Sequence, residues 1–448
     1  MGRETLGISR AGMCVISTVA ELHSECHRRR AQLKAQLFRI PLSGLHQWSI
    51  TEEGFLAHRT GRFFRVVGAR FEEPSTPGLV IERPMIDQAE IGILCLFVTV
   101  INGQYYGLIT FKFEPGTPDG IEVAPSVQAT RSNYQTVHGG MRVPGVEIAL
   151  SKTVNTLVDA LQREQEEWFL GKVNRNRIIL LDENESKKVE MLIPDSYWVP
   201  ISVLLASTLQ HRLINMDLRS ILSMWPLDTT LTPIASSSVY SANTNIKNSK
   251  LKKANTKLVP LNSLEEWKIG EYIEHQAQQL FSIVGYRVEG QKRETQFWDQ
   301  PLLVPVRVGQ CSLLLRKGKE GIEMLITERV RIGSVRGPTI EPMHQRGDIA
   351  DYTTATHRVS MLAEAADLVY SNKIYTALQT EEGGRFHGAM MVYQLGLLGA
   401  YSRNERADCW MSLAEIDILN WHGDCLSIEL RTCLAMLKGL ILTGNITL

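Results

Sequence analysis

The sequence repeats itself once along its 448 residues, and this internal repeat constrains the fold more than any other feature. The pattern F-x-x-V-G-x-R-x-E occupies residues 64–72 and returns at residues 281–289, an offset of 217 residues. The same offset relates the pattern A-L-Q-x-E at residues 160–164 to its copy at residues 377–381. Because a steady register over such a length is hard to obtain by chance, the sequence predicts a tandem duplication.

The repeat divides the chain into four parts. Residues 228–257 are rich in Ser, Thr, Asn and Lys and are too polar to bury a core, so they are expected to form a flexible linker. The first repeat is then expected over residues 36–227 and the second over residues 258–448. Residues 1–35 are expected to form a helical N-terminal extension.

Composition excludes several classes of protein. Hydrophobic residues make up 44% and charged residues 21%, as in globular domains and unlike disordered or collagen-like chains. Lys and Arg together number 48, as do Asp and Glu, so no overall charge favours nucleic acid or a membrane surface. The seven cysteines are scattered without a C-x-x-C pair, which favours a reducing cytoplasm over a disulfide framework.

Hydrophobic patterns within each repeat indicate an α+β fold. Residues 64–71 and 93–101 are predicted strands, and Asn102-Gly103 is typical of a hairpin turn leading to a strand at 105–113. Apolar residues at helical spacing predict a helix over 153–161, followed by a loop. Further strands are expected at residues 178–181 and 392–398, and Ser412 with Glu415 indicates a capping box. Each repeat is therefore expected to be a mixed, mostly antiparallel sheet flanked by helices.

Common catalytic and nucleotide-binding motifs are missing from the sequence. It contains no G-x-G-x-x-G after a strand, no G-x-x-x-x-G-K-[ST], no H-E-x-x-H and no G-x-S-x-G. His23, Cys26 and His27 have metal-capable side chains but no second cluster at ligand spacing, so zinc there is the weaker interpretation. No metal site is predicted.

Two polar segments are the better candidates for a site. Residues 128–134 mix Arg, Asn, Tyr and hydroxyl side chains and are followed by His138. Residues 162–169 combine carboxylates with Trp168, and the segment N-R-N-R follows at residues 174–177. Arginine binds pyrophosphate and an indole stacks on a base, although solvated loops would have the same composition. The return of Q-x-E in both copies favours a structural or ligand-binding role.

These segments, in their order and spacing, resemble the NDP-hexose 2,3-dehydratase family. The resemblance rests on the blocks at residues 38–42, 126–134, 164–169, 174–177, 215–220 and 381–387, and it covers nearly all of the chain from residue 36. It implies two Nudix-hydrolase-like domains per subunit, a homodimer, and a dTDP-4-keto-6-deoxyhexose substrate. It also implies two nucleotide-sugar pockets per subunit, one of them catalytic, and a 3,4-diketo-2,6-dideoxy product that a downstream ketoreductase consumes.

The chemistry of this reaction suggests roles for the polar residues. A 4-ketone acidifies the C3 hydrogen, so a base, a donor to O4 and an acid for the C2 hydroxyl are required, but no nicotinamide. Tyr134 and Glu164 are predicted as the acid/base pair, with His138 or Lys112 polarising O4. Substrate binding is assigned to Gln128, Thr130, Arg131, Asn133, Gln162, Trp168, Arg175, Asn176, Arg177, Arg385 and His387.

Arg131 and Arg175 are expected at the pyrophosphate, and Trp168, or Trp48 from outside that set, is expected near the thymine. Three of these assignments have structural alternatives. Trp48 recurs as Trp267 and is more consistent with a core residue. Glu164 would equally anchor a loop, and His138 would equally serve a turn.

The second copy departs from the family pattern. Opposite Arg131, Asn133 and Tyr134 stand residues 348, 350 and 351, which are Asp, Ala and Asp. Because carboxylates repel a pyrophosphate, the pocket containing this loop is expected to bind nucleotide sugar poorly. The alternatives to a dehydratase are an inactive nucleotide-sugar-binding protein and, less favoured because the Nudix box is missing, a pyrophosphohydrolase. The sequence predicts no cofactor and leaves metal dependence open.

Overall fold

A computed structural model describes residues 13–72, 78–134, 143–227, 254–290, 297–318, 321–346, 367–399 and 410–446, with the backbone alone at 133–134 and 344–346. Within these ranges the chain forms four sheets and a smaller number of helices. The predicted α+β class is confirmed. None of the described helices is long and apolar enough to cross a membrane.

The first half begins with a helix and continues mainly as strands. Its strands are β1 (Gln36–Ile40), β2 (Trp48–Ile50), β3 (Leu56–His58), β4 (Arg65–Glu72), β5 (Val80–Asp87), β6 (Gly92–Ile101), β7 (Gln104–Phe113), β8 (Ile121–Ala124), β9 (Val127–Ala129), β10 (Thr156–Arg163), β11 (Val173–Leu180) and β12 (Tyr197–Pro200). Its helices are α1 (Val19–Ala31), α2 (Arg131–Tyr134), α3 (Val146–Leu150), α4 (Glu183–Leu192), α5 (Ile201–Ser207) and α6 (Met216–Leu222).

The second half follows the same order of strands. They are β13 (Thr256–Val259), β14 (Trp267–Ile269), β15 (Ile273–His275), β16 (Phe281–Glu289), β17 (Phe297–Pro305), β18 (Gly309–Gly318), β19 (Gly321–Arg329), β20 (Thr339–Pro342), β21 (His344–Arg346), β22 (Lys373–Thr380), β23 (Met390–Leu397) and β24 (Trp410–Ser412). Helices α7 (Leu413–His422) and α8 (Ile428–Leu442) follow β24.

Each half forms one large seven-stranded sheet with the same topology. The first sheet has the order β10-β11-β6-β7-β12, with β8 beside β7 and β9 beside β6. The second repeats it as β22-β23-β18-β19-β24, with β20 beside β19 and β21 beside β18. In each sheet one pair, β6 with β11 or β18 with β23, is parallel. The offset of 217 residues also relates the paired positions of neighbouring strands. Gln128 lies opposite Leu94, and their repeat-related residues, Gln345 and Cys311, lie opposite each other as well.

The two small sheets exchange their first strands between the halves. Strand β1 of the first half pairs with β16, and β13 of the second half pairs with β4. The crossing strands come very close, because a Cβ on Gly68 would lie 2.5 Å from the Val259 carbonyl oxygen and one on Gly285 would lie 2.7 Å from that of Ile40. The glycines of the repeated V-G pattern are therefore required where each strand receives its partner from the other half.

The main core lies between the two large sheets and is shared by both halves. Leu96 and Ile178 of the first sheet pack with Leu205 of α5, and Ala435 of α8 belongs to the same cluster. On the other side, α8 packs against the second sheet. A buried arginine ties each half to the other: Arg219 donates to the carbonyl of Thr380 and Arg431 donates to that of Arg163, both at 2.6 Å.

Several sequence predictions can be compared directly with these elements. The Asn102-Gly103 turn, with both residues at positive φ, and the capping box of α7 are confirmed. The predicted N-terminal extension contains helix α1, and its residues 1–12 lie outside the described residues. The helix predicted over 153–161 is wrong, because residues 156–163 form strand β10. Strand β13 begins at Thr256, inside the range expected to be linker, and residues 228–253 of that range lie outside the described residues.

Candidate active site

Two loops cross between the halves and bring their polar residues together. The loop between β10 and β11 donates the N–H of Gly171 to the carbonyl of Gly333 at 3.1 Å. The loop between β22 and β23 donates the N–H of Gly388 to the carbonyl of Gly116 at 2.8 Å. Each loop therefore lies against the opposite half and brings its polar residues to the sheet of that half.

A cluster of polar side chains, named here the first cluster, lies where the second crossing loop meets the first sheet. Its members are Lys112, Glu114, Gln128, Glu164, Lys172, Asn174 and Asp217 of the first half with Glu382 and Arg385 of the second. It brings together four residues that the sequence analysis placed in the site: Lys112, Gln128, Glu164 and Arg385. In the part of the chain that the structure describes, no group of three or more His, Cys, Asp or Glu side chains is arranged to hold a metal ion.

Glu164 lies at the end of β10 and is the most constrained carboxylate of the first cluster. The residue is 3% exposed, and Asn174 of β11 donates its side-chain amide to Oε1 at 2.6 Å. The other oxygen, Oε2, is buried without a hydrogen-bond partner among the described residues. Burial raises the pKa of Glu164, while the positive charges of Arg431 and Lys172 oppose that rise. Such a group is able to accept a proton from a bound ligand.

Two further carboxylates face Glu164, one from each half. Asp217 lies in the first turn of α6, and Glu382 lies in the second crossing loop with Oε2 buried and unpaired among the described residues. Burial first, and then the negative charge of Glu164, raise the pKa of both groups well above the ordinary range. Three carboxylates in one desolvated space cannot all ionise easily, because the ionisation of one raises the pKa of the others.

Three cations border these carboxylates. The Lys112 ammonium lies 3.1 Å from Glu114, and Lys172 donates to the carbonyl oxygen of Glu90. Burial lowers the pKa of Lys172, with opposition from Glu164 and Glu382. Arg385 places its guanidinium over the ring of Phe64, 4.4 Å from the ring centroid. The first cluster therefore combines three positive charges with its carboxylates.

The polar loop at residues 128–134 is tied to the first cluster by Gln128. Its side-chain amide donates to Glu114 at 2.9 Å and accepts from Asn215 at 3.0 Å. Asn215 in turn caps α6 by accepting from the Leu218 N–H, which fixes the helix that carries Asp217. Asn215 therefore connects the polar loop, through Gln128, to the helix that carries the Asp217 carboxylate.

The rest of this loop is only partly described. Ser132 donates its N–H to Glu90 at 2.6 Å, and Thr130 shares a hydrogen bond with Ser132 at 3.1 Å. Arg131 is exposed at the start of α2. The side chains of Asn133 and Tyr134, and the whole of His138, lie outside the described residues, so their predicted roles stay predictions.

Strand alternation divides the N-R-N-R segment between two faces of the sheet. Asn174 and Asn176 face α6, where Asn176 donates to Ser220 at 2.9 Å. Arg175 and Arg177 alternate with them and are directed to the other face, where Arg175 pairs with Asp159 at 2.5 Å and Arg177 donates to the carbonyl of Ala149. The two arginines are thus on the face opposite Glu164, which places them outside the first cluster.

The remaining predicted residues have packing roles in this structure. Gln162 donates to the carbonyl of Asn420 at 2.7 Å and joins the halves. Trp168 packs edge-on against Phe386 with ring centroids 4.4 Å apart, inside a core cluster that also contains Trp48. The structural interpretation of Trp48 is confirmed. His387 stacks on Tyr286 with centroids 4.4 Å apart, and burial lowers its pKa.

The positions related to the first cluster by the repeat have a different chemistry. Arg331 replaces Glu114 and forms two hydrogen bonds with Glu341, at 2.6 and 2.7 Å, as well as an ion pair with Glu167. Arg163 pairs with Glu166 at 3.0 Å. The second cluster consists of the repeat-related residues Gln165, Arg331, Glu381 and Glu429 together with their neighbours Arg163, Glu166, Glu167, Thr339 and Glu341. It is a network in which both arginines form ion pairs with carboxylates of the same cluster.

Sequence analysis missed five members of the first cluster. Asp217, Glu382 and Asn174 lie inside blocks that carried the family resemblance, so their block membership was the available signal. Glu114 and Lys172 stand in segments without a distinctive pattern. Glu114 and Lys172 belong to the first cluster because of the crossing loop and the strand register, neither of which can be predicted from the sequence.

Comparison with known protein families gives the same result for both halves of the chain. The family model described as NDP-hexose 2,3-dehydratase matches residues 19–225 and again residues 241–437. One family description therefore matches each half separately, in agreement with the repeat of 217 residues.

Three curated relatives carry the name dTDP-4-dehydro-6-deoxy-alpha-D-glucopyranose 2,3-dehydratase. The protein of Amycolatopsis orientalis is 32% identical over 417 residues, covering 89% of this chain and 86% of the relative. That of Saccharopolyspora spinosa is 30% identical, covering 95% and 92%. That of Streptomyces violaceoruber is 28% identical, covering 95% and 98%. The similarity extends over nearly the full length of each relative.

Proposed function

The chain belongs to the NDP-hexose 2,3-dehydratase family, and on this premise we propose that it is a hydro-lyase acting on a dTDP-4-keto-6-deoxyhexose. It removes the C2 hydroxyl and gives the 3,4-diketo-2,6-dideoxy sugar, as a step in deoxysugar biosynthesis for natural products. The single observation that supports this most strongly is the buried Glu164 carboxylate, with an unpaired oxygen beside two further carboxyl groups.

The proposed reaction requires a base, an acid and a donor to the ketone oxygen. The 4-ketone acidifies the C3 hydrogen because the carbanion delocalises onto O4 as an enolate. Glu164 is proposed as the base that takes this proton, with Lys112 or His138 as the donor to O4. Tyr134 stays the sequence-based candidate for the acid.

Binding of the nucleotide sugar is proposed beside the cations of the first cluster. Arg385 and Arg131 are suited to the pyrophosphate because a guanidinium presents paired donors to phosphate oxygens. Gln128 and Thr130 would support the polar loop around the sugar. The surroundings of Arg175, Arg177 and Trp168 favour packing and ion pairing instead.

Four further features are proposed together with this function. Each half is proposed to be a Nudix-like domain, which its mixed sheet allows. Two chains are proposed to form a homodimer in the cytoplasm. A ketoreductase is proposed as the next enzyme, because a vicinal diketone is reactive and is best consumed as it forms.

One incubation tests the proposed function against both alternatives. The purified chain is given dTDP-4-keto-6-deoxyglucose and a 3-ketoreductase with its nicotinamide, with Mg²⁺ or with EDTA. A 2-deoxy product is expected. Release of dTMP would indicate a pyrophosphohydrolase, and binding of the dTDP-sugar without turnover would indicate an inactive binding protein. Comparing the two metal conditions decides whether activity depends on a divalent cation.

A further inference from the structure

We propose that Glu382, a residue of the second half, is the general acid of the site built on the first half. This inference rests on the proposed dehydratase function and assigns one of its two proton transfers. Neither the family description nor the names of the relatives assign this residue a role. It competes directly with Tyr134 for the same task.

The second crossing loop holds Glu382 in the first cluster by backbone contacts. Gly384 donates its N–H to the carbonyl of Pro115, and Gly388 donates to that of Gly116, both at 2.8 Å. The Oε2 atom of Glu382 is buried without a hydrogen-bond partner among the described residues. An unpaired carboxyl oxygen in a desolvated space is costly unless a proton or a ligand satisfies it.

The charges around the two carboxylates separate their protonation states. Glu164 receives an amide hydrogen bond from Asn174 and faces Arg431 and Lys172, all of which favour its ionised form. Glu382 is faced by Glu164, Asp217 and Glu114, which favour its protonated form, with Arg385 in opposition. These contacts and charges therefore favour a proton on Glu382 over one on Glu164. Neighbouring carboxyl groups separated in this way divide into an acid and a base.

The internal repeat singles out position 382 among the carboxylates. Glu164 corresponds to Glu381 and Asp217 to Glu429, so both clusters carry an acid at those two positions. Glu382 corresponds to Gln165, whose amide donates to Glu381 at 2.9 Å. A carboxyl group at this position is thus a feature of the first cluster and is replaced by an amide in the second.

The proposed step balances without an oxidant or a reductant. Glu164 takes the C3 proton, and the C–H electron pair forms the enolate of the 4-ketone. The enolate re-forms the C4 carbonyl, the C2–C3 double bond forms, and the C2–O bond breaks as Glu382 gives its proton to the leaving hydroxyl, releasing water. The resulting enol ketonises by gaining a proton at C2 and losing that of the C3 hydroxyl.

The test separates the two proton transfers in a Glu382→Gln variant. Without the acid, kcat for elimination is expected to fall about 100-fold or more while KM changes about threefold or less. Exchange of the C3 hydrogen with D₂O is expected to continue, because the base is intact. In Glu164→Gln, exchange and elimination are both expected to be lost.

The pH profile gives a second readout. A general acid must be protonated, so wild-type kcat is expected to fall as pH rises through its pKa, and the residual rate of Glu382→Gln should lack this alkaline limb. The assignment would be overturned if the fall of kcat at alkaline pH were lost in Tyr134→Phe but retained in Glu382→Gln. A wild-type enzyme without an alkaline limb would overturn it as well, even if the variant failed to fold.

Glu429→Gln is the matched control, because it makes the same chemical change at a buried position of the other cluster. It is expected to keep wild-type exchange and elimination. Elimination by Glu382→Gln within a few-fold of wild type would refute the role of Glu382, as would loss of exchange in a variant that still binds substrate. If the wild-type chain itself gave neither exchange nor product, the proposed function would fail instead.

Discussion

Glu164 and Glu381 occupy equivalent positions in the two halves, yet their carboxylates differ in hydrogen bonding. Glu381 accepts from Gln165 at 2.9 Å on one oxygen and from Tyr393 at 3.0 Å on the other. Glu164 has Asn174 on one oxygen and an unpaired second oxygen among the described residues. Persistence of Glu in both copies indicated a role, and the surroundings suggest that the role is structural in one copy and chemical in the other.

We therefore expect the same substitution to have opposite consequences at the two positions. Glu164→Gln should lower kcat about 100-fold or more, because the amide cannot accept the C3 proton. Glu381→Gln should leave kcat within a few-fold and lower the free energy of unfolding by about 1–3 kcal/mol, because one hydrogen-bonded oxygen becomes an amide donor. Turnover with the coupled ketoreductase and urea unfolding measure the two effects, and equal losses of kcat would contradict the distinction.

Glu429 provides a prediction about the pH dependence of stability. Burial raises its pKa from the ordinary 4.5 to about 7, with a contribution from Glu381. Between these two values the unfolded chain has released the proton and the folded chain still holds it, so the free energy of unfolding falls as pH rises. Glu429→Gln does not titrate. Its stability relative to wild type should grow by up to about 3 kcal/mol across this range.

Denaturant unfolding of both proteins at several pH values between 4.5 and 7 checks this expectation. The comparison with wild type cancels the other carboxyl groups, which titrate in both chains. A stability difference that is independent of pH would mean that Glu429 is ionised in the folded chain throughout the range.

At the scale of elements, the segment at residues 153–161 shows why one prediction was wrong. Val154, Leu157, Val158 and Leu161 have helical spacing, but Val158 and Ala160 also alternate into the core of the first sheet. Short apolar segments fit both the helical and the strand period, and in this segment the pairing with β11 gives a strand. The hairpin at Asn102-Gly103 was predictable because its turn residues specify a local conformation.

The exchanged strands mark a second limit of sequence-based prediction. The repeated patterns at residues 64–72 and 281–289 indicate a strand in each half, and both are present. Nothing in a strand's own pattern identifies its edge partner, so the pairing of β1 with β16 and of β13 with β4 was not predictable. The crossing loops that assemble the first cluster have the same origin in long-range packing.

Gly116 tests how far the crossing loop depends on close backbone approach. It has a φ of +93°, and a Cβ at this position would lie 2.0 Å from the carbonyl oxygen of Phe386. Gly116→Ala should therefore displace the loop that carries Glu382, lowering kcat at least about 10-fold and the free energy of unfolding by about 2 kcal/mol or more.

The control for this substitution is Gly103→Ala in the hairpin turn. Gly103 also has a positive φ, of 79°, but a Cβ there meets nothing within 4 Å. The control therefore has the backbone strain without the clash, and its kcat should remain near wild type while its stability falls by about 1 kcal/mol. Equal loss of kcat in both variants would show that strain, and not loop displacement, accounts for the effect.

At the scale of the whole molecule, duplication has produced two clusters of unlike chemistry from one topology. Among the described residues, the first cluster has unpaired carboxyl oxygens on Glu164 and Glu382 and contains three cations. In the second, Arg331 is engaged by Glu341 and Glu167, and Arg163 by Glu166. The sequence predicted this inequality from a different region, the loop containing residues 348–351, which lies outside the described residues. Two independent features thus favour one binding site per chain.

We therefore expect one dTDP-sugar to bind per chain. Equilibrium dialysis with dTDP as the probe measures the stoichiometry without turnover, and saturation should occur at one equivalent. Arg385→Met should weaken this binding about 10- to 100-fold, because it removes charge-assisted hydrogen bonds to the pyrophosphate. If the second cluster bound dTDP equally, wild type would saturate at two equivalents and Arg385→Met would retain one at full affinity. That outcome would mean that the second ionic network opens to admit a ligand, and the proposed inequality of the halves would have to be abandoned.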